Sequence, residues 1–240
     1  MELENRPALE AKFGKRLQAL SNRHRKELIA LLGNPPDFNA VTPAFWQRVK
    51  RETEEEAAAL LLLLFMSSAE THVKKGGGDL SIVQPVILQQ AETFATKRAA
   101  EVGLRVAVGA SMRFDNVRKD IEAVSDLREP TTATKAEVLD RSGPVFSPSQ
   151  TIQTTRDETT RARHVGGEAG VKVTTGISEF DLWQNRPSMS RTGPCPQCAP
   201  LHNTYRSIWS LVYPQGPPQP HVGCVCVIQY AFEREEEPET

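Results

Sequence analysis

The chain has 240 residues, 39% of them hydrophobic and 25% charged, with a formal net charge of -1. That length can bury a sizeable core in one or two domains, and that polarity is globular rather than disordered. A balance so near zero excludes a globally basic surface wrapped around nucleic acid, while leaving room for a local basic patch.

No signal peptide is expected, because Met1-Glu2-Leu3-Glu4 opens acidic and no apolar stretch follows it. Residues 1–130 read as helix after helix. In the first, Leu9, Phe13, Leu17, Leu20, His24, Leu28 and Leu31 recur at steps of three and four, forming one stripe. Lys15, Arg16, Arg23, Arg25 and Lys26 fall on other faces, and Gly33-Asn34-Pro35-Pro36 ends the helix. Thr42-Pro43 starts a second helix with proline at its first position. It carries Phe45, Trp46 and Val49 and continues through Glu54-Glu55-Glu56 into the apolar run from Ala57 to Met66. That run is far shorter than the roughly 20 residues needed to cross a bilayer. It reads as the central helix of a bundle, covered by its neighbours.

Lys74-Lys75-Gly76-Gly77-Gly78 is a turn, and Asp79 is placed to cap the next helix. Pro85 falls in its first turns or kinks it. The helical pattern runs from Val86 to about Asp126, with a break expected near Gly103 or Gly109. Phe94, Ala95, Ala99, Val102, Val106 and Met112 form its expected buried stripe. Lys97, Arg98, Arg105, Arg113, Arg118 and Lys119 are expected on a solvated face.

After Arg128-Glu129-Pro130 the pattern is punctuated. A short helix is expected over residues 134–139, closed by Ser142-Gly143-Pro144. Ser147-Pro148-Ser149-Gln150 has the form of a capping box opening a threonine-rich helix. Ile152, Thr155, Thr159 and Ala162 share one face of it, and Gly166-Gly167 is expected to end it. Arg156, Glu158 and His164 are expected on its solvated surface. Val171 and Val173 alternate with Lys172 and Thr174, which predicts a strand over 170–175. Asp181-Leu182-Trp183 reads as loop, and 225–232 as a second strand. These elements amount to an α+β chain: a helical region over 1–130, a small α+β domain with a Cys/His cluster over 131–232, and a fraying acidic tail over 233–240.

All four cysteines lie between Cys195 and Cys226, as Cys195-Pro196-Gln197-Cys198 and Cys224-Val225-Cys226. C-x-x-C brings two sulfurs to one side of a tight turn, and C-x-C at a strand start does so by the two-residue period. Four thiolates can close a tetrahedral site around zinc, leaving no open position for catalysis. His221, three residues before Cys224, can replace one sulfur; His202 is placed only by its nearness to Cys198. Without secretion the thiols stay reduced, which favours a structural metal over disulfides. Free or oxidised thiols and a catalytic metal are the other readings.

The catalytic options find little support. Zinc deaminases pair P-C-x-x-C with an upstream H-x-E, but His164 is followed by Val165 and Gly166. A thioredoxin-like redox motif does not expect a second thiol pair downstream. An HNH-type nuclease needs paired histidines that His202-Asn203 does not supply. No Walker loop, dinucleotide fingerprint or nucleophile elbow occurs.

Residues 135–230 resemble the phage Mu F-type head morphogenesis domain of minor head proteins in tailed phages. The helix from Ile152 to Ala162 stands where that family has I-A-R-T-E-T-x-x-A, followed by a glycine and the expected strand at 171–173. The C-x-x-C is next, and the family's closing P-x-H-P-x-C-R-C stands as Pro218-Gln219-Pro220-His221-Val222-Gly223-Cys224-Val225-Cys226. Val225 replaces the family's arginine, and the tryptophan of its strand is absent at Val173 and Thr174, with Trp183 coming later. The resemblance implies a non-enzymatic minor capsid protein acting in virion assembly inside the head. Its partners would be the portal protein and a scaffold or major capsid protein, and packaged DNA with which such proteins can be ejected. It implies the host cytoplasm during assembly, with no membrane, and a phage or prophage origin. Some members of that family carry a fused toxin domain after this module; none is expected here, since the chain stops at Thr240. The competing reading from another class is a small zinc-dependent enzyme acting on nucleic acid, and a third is a zinc-binding interaction module in another assembly.

Overall fold

The computed structural model describes residues 6–33, 36–125, 143, 145–186, 195–218 and 224–233. Among them are five α-helices: α1 (Arg6–Leu32), α2 (Pro43–Lys75), α3 (Leu80–Ser125), α4 (Pro148–Thr174) and α5 (Arg206–Val212). Two short strands, β1 (Leu182–Gln184) and β2 (Val227–Gln229), pair antiparallel with Trp183 opposite Ile228. The expected α+β class is observed: a mostly helical chain with a small sheet beside the cysteines. His221, the short helix at 134–139 and the tail beyond Glu233 lie outside the described residues.

Local chemistry explains the helix ends. Gly33 and Gly77 take φ of 69° and 71° where α1 and α2 stop, a left-handed turn that a side chain would strain. The Asp79 carboxylate accepts from the Ser81 backbone N–H at 2.9 Å and from its hydroxyl at 2.7 Å, capping α3 as the sequence predicts. Phe13, Leu17, His24 and Leu28 of the α1 stripe are buried, but Leu31 is exposed and Leu32 takes its place.

Three expectations give way. First, α3 runs unbroken through Gly103 and Gly109. At Gly103 a β-carbon would lie 2.7 Å from the Lys50 carbonyl oxygen and 2.4 Å from Glu54 Cγ, so the glycine admits a neighbouring helix rather than ending its own. On the same helix Met112 is 63% exposed, while Ala110 and Phe114 are buried.

Second, Gly166-Gly167 does not end α4, and no strand forms at 171–173. Residues two apart on a helix point about 200° apart. Val171 accordingly enters the cluster around Trp183, while Val173 packs on the cluster around Phe65. Third, Asp181-Leu182-Trp183 is not all loop, since Leu182 and Trp183 belong to β1.

The chain divides into two compact units interleaved in sequence. One comprises the described parts of Met1–Ala11, Leu60–Ala95 and Gln153–Thr240; the other is Lys12–Ala59 with the described parts of Thr96–Ile152. In the second unit Leu28, Phe45, Val49, Phe114 and Val145 pack together, with Trp46 against the Phe114 and Phe146 rings. Arg113, expected to be solvated, instead donates from Nε and Nη2 to the Val145 carbonyl oxygen at 3.2 and 3.0 Å.

The first unit holds two apolar clusters. Phe65, Ala69, Val73, Ile87, Ala91 and Ala169 form one; Trp183, Trp209, Tyr230 and the buried cysteines form the other. By length and composition α2 passes as a membrane-crossing helix, yet half of its most apolar stretch is buried within the protein. A core helix of a soluble protein meets the same description.

Candidate metal centre

The C-P-Q-C segment folds as a tight turn. The Cys195 carbonyl accepts from the Cys198 and Ala199 N–H groups at 3.0 and 2.8 Å, and a 3-10 turn over Ala199–Leu201 follows. This buries Cys198, while Cys195 remains half-buried at the edge of the same apolar cluster. The second pair directly precedes β2. There Thr160 of α4 donates its hydroxyl to the Cys224 carbonyl at 2.9 Å, holding the loop against the helix.

The sulfurs of Cys198, Cys224 and Cys226 lie within 4.8 Å of one another, all buried, so these three can hold a metal ion. The Cys198 and Cys224 sulfurs are 3.9 Å apart and all four cysteines are free thiols. Sulfurs about 2.3 Å from a tetrahedral metal sit about 3.8 Å from each other, so the Cys198–Cys224 spacing fits a shared ion.

Cys195 is not in that group, but its sulfur accepts the Gln197 backbone N–H at 3.3 Å. Among the remaining sequence candidates, His202 is turned elsewhere, its Nδ1 accepting the Asn185 N–H at 3.2 Å.

Packed together, these thiols resist ionisation. Cys198 is pushed far above the ordinary thiol value by its contacts with the Cys224 and Cys226 sulfurs, and further by burial. For Cys224 the hydrogen bond from Cys198 works downward, but Cys226 and burial outweigh it and leave the thiol pushed up to about 12. Three adjacent thiolates repel one another in a dry setting; a divalent ion reverses that balance and deprotonates them.

Around this cluster the fold is anchored by a residue that the sequence pattern does not single out. The Asp181 carboxylate, 1% exposed, accepts from the Ala231 N–H at 2.9 Å, the Ser178 N–H at 3.2 Å and Arg206 Nε at 3.3 Å. Its carbonyl accepts the Trp209 indole N–H at 3.1 Å, and the Arg206 guanidinium lies over that indole, 4.7 Å from its centroid. Arg206 also pairs with Glu168 of α4. The buried charge is therefore fully hydrogen-bonded, as stability demands.

The expected solvated surface of α4 is in large part internal. Glu158 is fully buried, His164 nearly so, and only Arg156 reaches outward to pair with Glu10 at 3.6 Å. Thr155, Thr159 and Ala162 are buried as a face, whereas Ile152 is 44% exposed. No family model, curated protein or solved structure matches the chain.

Proposed function

We propose that the chain is a minor head protein of the phage Mu F type, acting in head assembly at the portal, with a structural zinc ion as a staple of its C-terminal part. The observation that carries the reading is the convergence of the two cysteine pairs beside the sheet. A C-x-x-C turn and a C-x-C strand lead meet across 26 residues at Cys198 and Cys224. Their order along the chain is the one the resemblance expects.

A second feature supports it. Trp183 is in β1, paired with Ile228 in the strand that follows the last cysteine, so a strand tryptophan of the kind the family carries is available here. Thiolate-rich, redox-inert sites suit zinc, and Cys195 or His221 would complete the four donors. The ion then closes the loop between the pairs and adds its binding energy to folding.

The test is co-expression with a portal and a major capsid protein, taken from beside its own gene where such genes lie there. The reading expects this chain in purified procapsids at a few copies each. Procapsids that form normally and exclude it would overturn the assembly role, whatever metal it binds.

A further inference from the structure

Within the second unit one side of α3 is uncovered, and its side chains form a pattern that the fold does not use. At Gly103 the helix lies against the Lys50 carbonyl oxygen of α2, and Val102, Ala107, Ala110 and Phe114 are buried. On the outward side Leu104, Val108 and Met112 are 53%, 48% and 63% exposed. They follow one another at steps of four, so they form a continuous apolar strip over successive turns. A single exposed apolar side chain is ordinary, whereas a contiguous strip marks a contact surface.

The strip is symmetric about Val106. Leu104 and Val108 stand two residues to either side of it, Ala100 and Met112 six, and Lys97 and Asp115 nine. At about 100° per residue, Lys97, Leu104, Val108 and Asp115 fall within about 40° of one another on the helix surface. Lys97 and Ala100 are exposed. The Asp115 side chain is half exposed and reaches Arg118 only at 3.8 Å, a contact worth little in water. An apolar centre thus carries a cation at one end and an anion at the other. Laid antiparallel on a copy of itself, such a face sets apolar against apolar and each lysine against an aspartate. A parallel copy would set like charges together.

We propose that this face pairs antiparallel with the same face of a second copy of the chain, about a two-fold axis level with Val106. Lys97 of each copy then stands against Asp115 of the other. A two-fold contact joins one patch to itself, so the residues on either side of the axis must complement each other, as these do. An unrelated partner would impose no such symmetry on the strip. From Lys97 to Asp115 the seam runs about 27 Å. One helix pair of that length makes a small interface, so the dimer is reversible. The proposal does not rest on the head-assembly reading.

Sedimentation velocity of the full chain in reducing buffer, from about 1 to about 300 μM, tests it. A monomer–dimer equilibrium is expected, with a Kd of about 10–100 μM. Leu104→Glu, at an exposed position, should leave the protein monomeric over that range with its helical circular dichroism unchanged. Lys97→Glu or Asp115→Lys alone sets like charges opposite each other at both ends of the seam, and should raise Kd about tenfold. The two reversals together restore the attraction, and should return Kd to within about threefold of the original. Protein that stays monomeric throughout leaves the strip to another partner and overturns the proposal. So does a dimer that Leu104→Glu leaves intact, or one that the single reversals do not weaken or the double reversal does not rescue.

Discussion

The Phe65 carbonyl oxygen occupies the place where a side chain on Gly166 would begin: a β-carbon there would lie 2.3 Å from it. One turn along, Gly170 stands in the same relation to Ala69, at 2.4 Å from its carbonyl oxygen. Two glycines four apart thus lay α4 directly on the backbone of α2. Glycine inside a helix ordinarily costs about 0.5–1 kcal/mol relative to alanine, so Gly→Ala on an open helix surface stabilises. Here the sign reverses. Gly166→Ala should destabilise by about 2–4 kcal/mol in denaturant unfolding, because backbone cannot step aside as a side chain can. Gly109→Ala, whose β-carbon would meet only the Arg113 guanidinium and no backbone, should change stability by less than about 1 kcal/mol.

Asp181→Asn tests the anchor beside the cysteines. Both carboxylate oxygens accept from N–H groups, so an amide nitrogen in either place opposes a donor with a donor. It also removes one of the two charge partners of Arg206. A loss of about 2–4 kcal/mol is expected, with the near-ultraviolet signal of Trp183 and Trp209 lost first. A change below about 0.5 kcal/mol would mean that the carboxylate is spare.

The sulfur cluster makes a graded prediction. Purified protein should carry about one zinc per chain by elemental analysis. Cys198→Ser and Cys224→Ser should abolish binding and loosen the surroundings of Trp183, since both sulfurs are central and buried. Cys195→Ser should weaken binding by a smaller factor, because Cys195 stands outside the group of three. Fully folded, metal-free protein with four titratable thiols would refute the staple.

His24 provides the acid response of the second unit. It is buried, and desolvation holds its imidazole below the ordinary value of 6.5 despite the Glu52 carboxylate 2.8 Å from Nε2. Below about pH 6.5 the unfolded chain therefore takes up a proton that the folded chain refuses. Stability should be full above about pH 7 and fall on acidification toward the folded value, by at most about 1.4 kcal/mol per pH unit for this residue. His24→Gln keeps a donor toward Glu52 and should flatten that part of the slope. A steeper acid loss in the variant would show that His24 is charged and paired in the folded protein. His72 and His164 are held low by burial too and act in the same direction.

Much of the architecture follows from local pattern. The proline that opens α2, the Asp79 cap and the helical spacing in α1 each act within a few residues, so their physics is visible in a short window. The pairing of the cysteines is legible for the same reason: C-x-x-C and C-x-C each set two sulfurs side by side. The error at 171–173 shows where that reach ends. Val171 is buried and Val173 partly so, but on two sides of a helix and against different neighbours, an arrangement that alternation over four residues cannot distinguish from a strand.

Composition and spacing alone established a helical chain with four thiols arranged as two close pairs. Whether the halves meet depended on the packing of α4, the sheet and the loop held by Thr160, which bring the Cys198 and Cys224 sulfurs to 3.9 Å. The buried polar groups were likewise decided only in three dimensions. Glu158, His164 and Asp181 look like surface residues in sequence, because burying a charge or an imidazole depends on partners that come from far along the chain. Asp181 meets the N–H of Ala231, 50 residues away. Hydrophobic periodicity reports which side chains leave water readily; it carries no record of which polar ones the fold can satisfy.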